Sequence, residues 1–382
     1  MTGPSRRAIL GGGAVLALAG CAAPMAGTGT SETLKSAAAA HGRRFGSAFA
    51  WGAAGSDTGS FANPAYAGLL RRDCAILVPE NEMKWQAIRP SADAYALDHF
   101  DAMVDYAERQ GFALRGHTLL WQRPKWFPGW LNAHDFGARP ATEAARILTG
   151  HIDTLTRRYA GKIASYDVVN EAVDPETGAL VETVLSKAMG GVEPLLDLAF
   201  HTASADAPGT QLVYNDYMSW EPGNENHRAG VLRLLAGFRK RGVPVDALGI
   251  QSHIEMKTLD PATGIGPYQG AAWRQFLNEV TGMGYDLVVT EFDVRDNALP
   301  GDIAVRDQGV ADYTRVYFET MLDFPQLRDI LAWGMTSRYS WLQGFDPRAD
   351  GLPQRCCPYD DRFRPLPMRA ALIGLLRLAQ AT

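Results

Sequence analysis

The sequence predicts an α/β protein folded as one (β/α)8 TIM barrel, and two observations support this. Eight short segments rich in Val, Ile, Leu and aromatic residues recur along the chain, each short enough to be a buried strand. Stretches of helical periodicity separate them, which is the alternation that builds this barrel. No break in composition interrupts the pattern, so a single domain is predicted over residues 41–382.

The predicted strands are bounded by turn residues and separated by amphipathic stretches. They are Ser47–Trp51, Cys74–Val78, Phe112–Gly116, Ile163–Val169, Gln211–Tyr214, Ala247–Ile250, Asp286–Val289 and Asp329–Trp333. Helices are predicted over Phe100–Gln110, Thr142–Tyr159 and Asn226–Arg241. Gly111 and Gly242 follow two of them directly, and glycine at this position is a normal helix stop.

The composition excludes several classes of protein. Hydrophobic residues make up 46% of the 382 residues and charged residues 21%, which is ordinary for a globular protein with a sizeable core. The net charge is −5 and no basic stripe is present, so nucleic acid is not expected as a partner. Four Cys in this length do not form a disulfide scaffold. We expect a monomer.

The N-terminal residues are expected to direct export. Arg6 and Arg7 precede an apolar run of about twelve residues, which is shorter than the roughly 20 that span a bilayer. Residues 1–21 therefore resemble an export signal of the twin-arginine type, although a general secretory signal also fits. Residues 18–21 resemble a lipobox ending at Cys21, which would carry a lipid anchor; the alternative is an ordinary cleavage site. Residues 22–40 are predicted to be a flexible tether. The protein is accordingly expected in the periplasm, on the outer membrane or secreted.

Polar and aromatic side chains follow almost every predicted strand. They are Glu80, Asn81 and Lys84 after the second strand, His117 and Trp121 after the third, Asn170 and Glu171 after the fourth, Tyr217 after the fifth, Gln251 and His253 after the sixth, Glu291 and Asp293 after the seventh, and Trp333 after the eighth. The carboxyl ends of parallel barrel strands meet on one face, where active sites lie. Repetition around the barrel favours one shared site over separate helix caps.

Glu171 and Glu291 are the candidate catalytic residues. Each follows an apolar run, where an ionised carboxylate is costly unless it has partners or a task. A pair of carboxylates across a cleft suits hydrolysis of a glycosidic bond, in which one protonates the leaving oxygen while the other attacks the anomeric carbon or activates water. The surrounding amides and aromatic rings suit a ligand with hydroxyl groups and flat CH faces.

These segments resemble glycoside hydrolase family 10, the endo-β-1,4-xylanases, over nearly the whole chain from Gly46. The matching motifs are residues 80–84, 116–121, 167–171, 215–217, 251–253, 290–293 and 333–336. The resemblance implies a retaining, double-displacement enzyme with Glu171 as acid/base and Glu291 as nucleophile, their carboxyl groups about 5–5.5 Å apart. It also implies that Asp293 orients His253, which holds Glu291 ionised.

The resemblance further implies a substrate site for xylan or xylo-oligosaccharides, without cofactor or metal. Asn170 is expected to bind the 2-hydroxyl of the cleaved sugar, and His117 with Lys84 its 3-hydroxyl side. Glu80 and Asn81 would bind the next sugar towards the non-reducing end. Tyr217 and Gln251 are expected to be further contacts. The rings expected to form the wall that admits xylose and obstructs glucose are Trp121, Trp333 and Trp341.

Two positions depart from the family pattern. The loop after Trp121 is shortened, which leaves open whether Gln122 replaces the family glutamine. Ser337 stands where an Asp is usual. Cys356 and Cys357 are consecutive in the chain and could either form a strained disulfide with each other or remain thiols.

Other functions fit the sequence less well. A β-glucanase or mannanase on a related barrel would share Glu171 and Glu291, but the motifs around Lys84 and His117 favour a xylanase. A non-catalytic carbohydrate-binding lipoprotein would be expected to lack one of the two glutamates. A metal-dependent hydrolase would need a His-x-His on the first strand, and residues 47–52 contain no His.

Overall fold

A closed barrel of eight parallel strands forms the centre of the protein. The computed structural model describes residues 32–378. The barrel strands are β1 (Arg44–Phe49), β2 (Ile76–Pro79), β3 (Ala113–Trp121), β4 (Ser165–Asn170), β5 (Gln211–Asp216), β6 (Ala247–Ile250), β8 (Asp286–Arg295) and β9 (Leu327–Ala332), and a short strand β7 (His253–Glu255) lies between β6 and β8 in the chain. The predicted (β/α)8 fold is confirmed.

The pairing of the strands closes the sheet. β1 pairs with both β2 and β9, and β6 pairs with β8, so each barrel strand has two parallel neighbours. β7 pairs only with the distal part of β8 and lies outside the closed ring. The carboxyl ends of all eight strands therefore surround one opening, which is the geometry that the distribution of polar residues predicts.

Helices cover the outside of the barrel. They are α1 (Leu34–Ala39), α2 (Pro64–Asp73), α3 (Trp85–Ile88), α4 (Asp98–Gln110), α5 (Gly129–Asn132), α6 (Pro140–Arg158), α7 (Val184–Met189), α8 (Val192–Asp206), α9 (Glu225–Arg241), α10 (Gly270–Gly282), α11 (Ile303–Met321), α12 (Leu342–Phe345) and α13 (Pro367–Leu378). The three predicted helices correspond to α4, α6 and α9. Gly111 and Gly242 end α4 and α9 with φ of 72° and 70°, the left-handed conformation that glycine adopts most readily.

Two strands extend further than their apolar runs predict. β3 continues to Trp121 and β8 to Arg295, so His117 and Glu291 lie within strands rather than after them. Register shifts interrupt both strands, between His117 and Leu120 and between Val289 and Phe292. An apolar pattern ends where polar side chains enter the barrel mouth, but the backbone ladder continues past that point because these side chains find polar partners there.

The predicted tether reaches too far along the chain. Thr33 caps α1 through a reciprocal capping box with Ser36, and Leu34 is buried in the core. Residues 33–39 therefore belong to the barrel domain, and the predicted boundary at residue 41 is wrong. Alanine makes this segment resemble a linker in composition, yet it is the strongest helix former. The export signal, Cys21 and the first part of the tether, up to residue 31, lie outside the described residues.

Two apolar layers stabilise the barrel. The inner layer consists of Ala48, Ile76, Val78, Val213, Ala247, Val288, Leu331 and Trp333. The outer layer packs the helices onto the strands and contains most of the buried hydrophobic residues. Above the inner layer the barrel becomes polar, which leaves the mouth free for a site. Within residues 32–378, no helix combines the length and the apolar character needed to cross a membrane.

Asp73 joins the two ends of the domain, and we expect its loss to destabilise the fold. Its buried carboxylate accepts hydrogen bonds from the Leu34 amide at 3.0 Å and from Arg369 of α13 at 2.8 Å. Asp73→Ala would remove the buried carboxylate that binds both the Leu34 amide and Arg369, and loss of one member of a buried ion pair costs about 3 kcal/mol of unfolding free energy. Urea unfolding measures this. Asp105→Ala, at an exposed ion pair, should change the stability by less than about 1 kcal/mol. Equal effects of the two substitutions would contradict the role of Asp73.

Candidate active site

Glu291 lies on β8 in an environment that keeps its carboxyl group ionised. Oε1 accepts a hydrogen bond from Asn215 Nδ2 at 2.9 Å, and Oε2 lies 3.2 Å from His253 Nε2. Burial by itself raises the pKa of this carboxyl. The hydrogen bond from His253 and the charges of His117, His253 and Lys84 outweigh burial and lower the pKa to about 2. Glu291 is therefore a carboxylate at any physiological pH.

A chain of hydrogen bonds fixes His253 beside Glu291. Its Nδ1 lies 2.8 Å from Asp293 Oδ1, and the Trp341 indole N–H donates to the other Asp293 oxygen at 2.7 Å. Burial lowers the pKa of His253, but the two flanking carboxylates overcome this and raise it to about 9. The imidazole is thus a cation that donates to both acids. Asp293 holds the ring in the predicted orientation, and Trp341 in turn holds Asp293.

Glu171 lies directly after β4 in a different environment. Its backbone takes the left-handed conformation, with φ of 56°, and its amide donates to the Asn215 carbonyl at 2.9 Å. Strain of this kind persists in folded proteins mainly at functional sites. Burial raises the pKa of the Glu171 carboxyl, and the charge of Asp216 adds to this effect. The hydrogen bond from Gln251, the nearby Trp121 indole and the charge of Arg123 oppose the increase without cancelling it.

Side-chain amides connect the two glutamates. Gln251 Nε2 donates to Glu171 Oε1 at 3.0 Å, while Asn215 Nδ2 donates to both Glu291 and Asn170 Oδ1 at 2.9 Å. Thr290 fixes the Asn215 amide by donating to its oxygen at 2.7 Å. A Cβ atom on Gly249 would lie only 2.5 Å from that oxygen, so this position of β6 needs glycine. The network places a carboxyl group with a raised pKa and an ionised carboxylate in one cleft, the combination that two-carboxylate hydrolysis uses.

A second group of predicted residues surrounds Lys84. Its ammonium donates to Asn81 Oδ1 at 3.0 Å and lies 4.8 Å from the ring centre of Trp121 and 5.8 Å from that of Trp333. Burial lowers the pKa of Lys84, and the charges of Glu291, Glu80 and Glu171 oppose this. The ammonium therefore interacts electrostatically with both catalytic candidates, which places these predicted residues in the same cleft.

Glu80 and Asn81 lie at the end of β2. Burial raises the pKa of Glu80 to about 7, against the opposing charge of Lys84. The Glu82 carboxylate accepts the backbone amides of both Asn81 and Trp51, at 3.0 and 2.7 Å. Glu82 thus fixes the loop that presents the other two polar groups to the cleft.

His117 projects from β3 into the barrel interior. Its Nδ1 lies 2.9 Å from Asp167 Oδ2, and Arg115 donates to the other oxygen of the same carboxylate. Its ring lies edge-on to Trp333, with centroids 5.5 Å apart. Asp167 is buried, and it is fully paired between these two side chains. Asp167, itself held by Arg115, orients His117 towards the site in the way that Asp293 orients His253.

The loop after β3 brings Arg123 rather than Gln122 to the catalytic cleft. Gln122 is fully buried and donates to the Val181 carbonyl at 2.9 Å, so it does not take a substrate-binding position. Arg123 Nε lies 3.6 Å from Glu171 Oε2, and its Nη2 donates to the Tyr217 hydroxyl at 2.9 Å. Tyr217 therefore lies at the Glu171 side of the site; its predicted contact with substrate stays a prediction.

Ser337 and the two late cysteines support the wall formed by Trp341. The Ser337 hydroxyl accepts the Cys357 amide at 3.3 Å, which orders the loop without the usual Asp. Cys356 and Cys357 are free thiols whose sulfur atoms lie 3.6 Å apart, both buried beneath Trp341. Of the two states open from the sequence, the structure contains the thiols.

Comparison with known proteins identifies the family. The sequence model of glycosyl hydrolase family 10 matches residues 33–374. The chain belongs to glycosyl hydrolase family 10.

Family relatives of known structure and name share this architecture. The chain is 29% identical to endo-1,4-beta-xylanase B of Thermotoga neapolitana over 81% of this chain and 83% of that one. It is similar to the crystal structure of native xylanase 10B from Thermotoga maritima, with a TM-score of 0.78, 29% identity, and coverage of 90% of this chain and 98% of that one. Xylanase 10B from Thermotoga petrophila, solved in complex with xylobiose, superposes with a TM-score of 0.77 at 28% identity, over 90% of this chain and 97% of that one.

Some residues of this family 10 site carry no distinct signal in the sequence. Asn215 was visible only as part of a motif, yet it bonds directly to Glu291. Asp167 likewise belongs to a motif without carrying a predicted role of its own, and Arg123 reaches the site from the loop after β3, which no motif includes. The expectation that no metal is needed stays a prediction. Among residues 32–378, no three His, Cys, Asp or Glu side chains are grouped in a way that could hold a metal ion.

A second carboxylate in place of Asn215 should disturb Glu291. Asn215→Asp exchanges a donor for a negative charge next to Oε1, which raises the pKa of Glu291 by about one unit or more. Since the nucleophile must be ionised, activity should then be lost at a higher pH on acidification. The pH dependence of kcat/KM measures this shift of the acid limb. Asn215→Ala removes the donor without adding charge and should shift the limb less. An acid limb that stays in place in the Asp variant would contradict the assignment.

Proposed function

We propose that this family 10 chain is an endo-1,4-β-xylanase that hydrolyses β-1,4-xylosidic bonds with retention of anomeric configuration. The observation that carries the proposal is the difference between the two glutamates: the pKa of Glu291 is lowered to about 2 while that of Glu171 is raised. A retaining glycosidase needs an ionised nucleophile and a protonated acid at the start of its reaction. The relatives named above are xylanases, which supports the substrate class.

In the first step, Glu291 attacks the anomeric carbon while Glu171 protonates the leaving oxygen. The glycosidic C–O bond breaks and an ester to Glu291 forms, so the negative charge at Glu291 is consumed. The His253 imidazolium favours the ionised resting state, and the 2.9 Å bond from Asn215 orients the attacking carboxylate. Glu171 is now itself ionised, beside Arg123 and Gln251.

In the second step, Glu171 acts as a base. It takes a proton from water, whose oxygen attacks the anomeric carbon and displaces Glu291 as a carboxylate. Two inversions restore the original β configuration. The enzyme returns to its starting protonation state because the burial that raises the pKa of Glu171 again acts beside a charged Glu291.

The substrate contacts follow from the residues that share the cleft. Asn170 receives a hydrogen bond from Asn215 and contacts Glu171, so its amide is positioned for the sugar at the cleaved bond. His117 and Lys84 approach the same unit from the Trp333 side, and Glu80 with Asn81 extends the site towards the non-reducing end. Trp341 uses its N–H for Asp293, so it offers its ring to the sugar. The rings of Trp121, Trp333 and Trp341 would obstruct the CH₂OH group that distinguishes glucose from xylose.

A substrate panel with product NMR tests the activity. Xylan and xylo-oligosaccharides should be cleaved faster than barley glucan or mannan, and the first reducing ends should be the β anomer. Preferential cleavage of glucan or mannan would replace the substrate class with that of a related barrel glycosidase. An initial α anomer would contradict retention, whichever polymer is cleaved.

Substitution of each glutamate should give a different kinetic signature. Glu291→Ala should lose several orders of magnitude in kcat on every substrate, because no other group can form the ester. Glu171→Ala should lose about 10²–10⁴-fold on xylan but much less in the first step on an aryl xylobioside, whose phenolate leaves without protonation. Steady-state and pre-steady-state kinetics measure the two. Glu221→Gln, at a buried glutamate of the β5 loop, serves as the control. Similar losses of Glu171→Ala on both substrates would reassign the acid/base role.

We infer from the N-terminal residues that the protein is exported and anchored through a lipid on Cys21. The proposal rests on the paired arginines, the short apolar run and the lipobox-like residues 18–21. Mass spectrometry of the mature N-terminal peptide tests it: a diacylated Cys21 is expected. A soluble protein cleaved elsewhere would favour a secreted or freely periplasmic enzyme.

A further inference from the structure

Arg123 contacts the acid/base residue from a loop that is shortened in this chain. It follows β3 by two residues and precedes Pro124, so its backbone is extended, with φ of −131° and ψ of 117°. Its side chain is 17% exposed and that of Glu171 is 13% exposed. The two charged groups therefore meet at the edge of the cleft, partly shielded from water.

Two acceptors fix the guanidinium in place. Nη2 donates to the Val173 carbonyl at 2.8 Å and to the Tyr217 hydroxyl at 2.9 Å. The guanidinium carbon also lies 5.6 Å from the centre of the Tyr217 ring, close enough for a cation–π contact. Tyr217 is held in turn by His227, with ring centroids 4.8 Å apart. Nε is left facing Glu171 Oε2 at 3.6 Å, a distance that gives an ion pair without a direct hydrogen bond.

Arg123 and the donors to Oε1 act on opposite sides of the carboxyl. Gln251 and Asn170 donate to Oε1 at 3.0 and 3.3 Å, whereas Oε2 faces the guanidinium. Oε2 accepts no hydrogen bond from a described residue, so it is the oxygen on which the transferred proton would be carried. An arginine at this distance stabilises the carboxylate without donating to the oxygen that must hold the proton.

We propose that Arg123 is a positioning residue for the reaction: its fixed positive charge beside Oε2 of Glu171 favours the ionised form that this residue must adopt after giving up its proton. The inference rests on the proposed function, because it assigns Arg123 a part in the acid/base cycle of Glu171. With Arg123 present, Glu171 gives its proton to the leaving oxygen more readily, and at low pH a larger share of it is ionised and able to accept a proton from water. The cost is that Glu171 is protonated over a narrower range of pH.

Several other charged groups act on Glu171 and must be kept constant in the test. Asp216 on β5 raises the pKa of Glu171, and it is itself paired with His227 at 3.0 Å. Tyr217 and Asp174 lie on the Arg123 side, since both interact electrostatically with Arg123 or Glu171. Lys84 lies on the opposite side, where Glu291 also acts on it. Substitutions confined to position 123 leave all of these in place.

The matched pair Arg123→Lys and Arg123→Met isolates the charge. Both variants lose the guanidinium that bonds Val173 and Tyr217, and their side chains are of similar length, so the positive charge is the main property that only the lysine keeps. The pH dependence of kcat/KM on xylotetraose is measured for both and for wild type. Arg123→Met should retain the protonated acid to a higher pH, which moves the alkaline limb up by about one unit. Arg123→Lys should restore most of the wild-type profile.

A second substrate tests the other half of the cycle. An aryl xylobioside with a good leaving group makes hydrolysis of the ester rate-limiting, and this step needs ionised Glu171. Its kcat should therefore fall in Arg123→Met at low pH, where the base is now protonated, while Arg123→Lys retains it. The matched control is Lys125→Met, which removes a cation from the same loop. Its ammonium lies 4.8 Å from the ring centre of Trp126, and the substitution should move neither limb.

The outcomes separate this inference from the proposed function. Equal profiles for Arg123→Lys and Arg123→Met, with activity lowered evenly at all pH values, would show a purely structural role and overturn the proposal. A shift produced equally by Lys125→Met would show a general field rather than a fixed neighbour, and would also overturn it. If wild type cleaves neither xylotetraose nor the aryl xylobioside, the proposed function itself fails.

Discussion

Two carboxyl groups share one buried cleft in this protein with pKa values displaced in opposite directions, and most of the polar side chains at the barrel mouth serve that difference. Burial alone would raise the pKa of both glutamates. Glu291 escapes because His253 is itself held as a cation between two carboxylates and donates to it at 3.2 Å. Glu171 has only amide donors and one guanidinium beyond hydrogen-bond distance, so burial prevails there. The pKa values of the two glutamates differ because Glu291 is hydrogen-bonded to a cation, His253, whereas Glu171 is not.

The barrel supplies this arrangement because each strand contributes one or two side chains to a common opening. Asn215 from β5 reaches both Glu291 on β8 and Asn170 on β4, a span that adjacent strands alone would not cover. The inner apolar layer below consists largely of small and branched residues, which brings opposite strands close enough for such contacts. Gly249 shows how tight the fit is, since even a methyl group there would displace the Asn215 amide.

The barrel and the two glutamates can be predicted from the sequence. The spacing of the apolar segments indicates the barrel, and the position of each glutamate at the end of such a segment indicates the site. Alternation of strands and helices gives the fold, and a polar residue at the end of an apolar run gives the site. Strand ends were less predictable, as β3 and β8 show: hydrophobicity stops before the hydrogen-bonded ladder does. The segment 33–39 was mistaken for a linker because composition does not show that Leu34 is buried. The contributions of Asp167 and Asn215 depend on contacts between strands, which are set only once the barrel closes.

The loop after Trp121 accounts for the remaining difference between the residues that the motifs predict at the site and those that the structure places there. In the loop after Trp121, Gln122 lies in the interior and bonds the Val181 carbonyl, whereas Arg123 faces Glu171. This loop therefore places a positive charge 3.6 Å from the carboxyl group of Glu171. The two glutamates keep their difference in pKa because Arg123 only opposes the effect of burial on Glu171, whereas His253 and the neighbouring cations overcome it at Glu291. Variation in such loops can adjust the pH range of an enzyme while the strands that carry the chemistry stay unchanged.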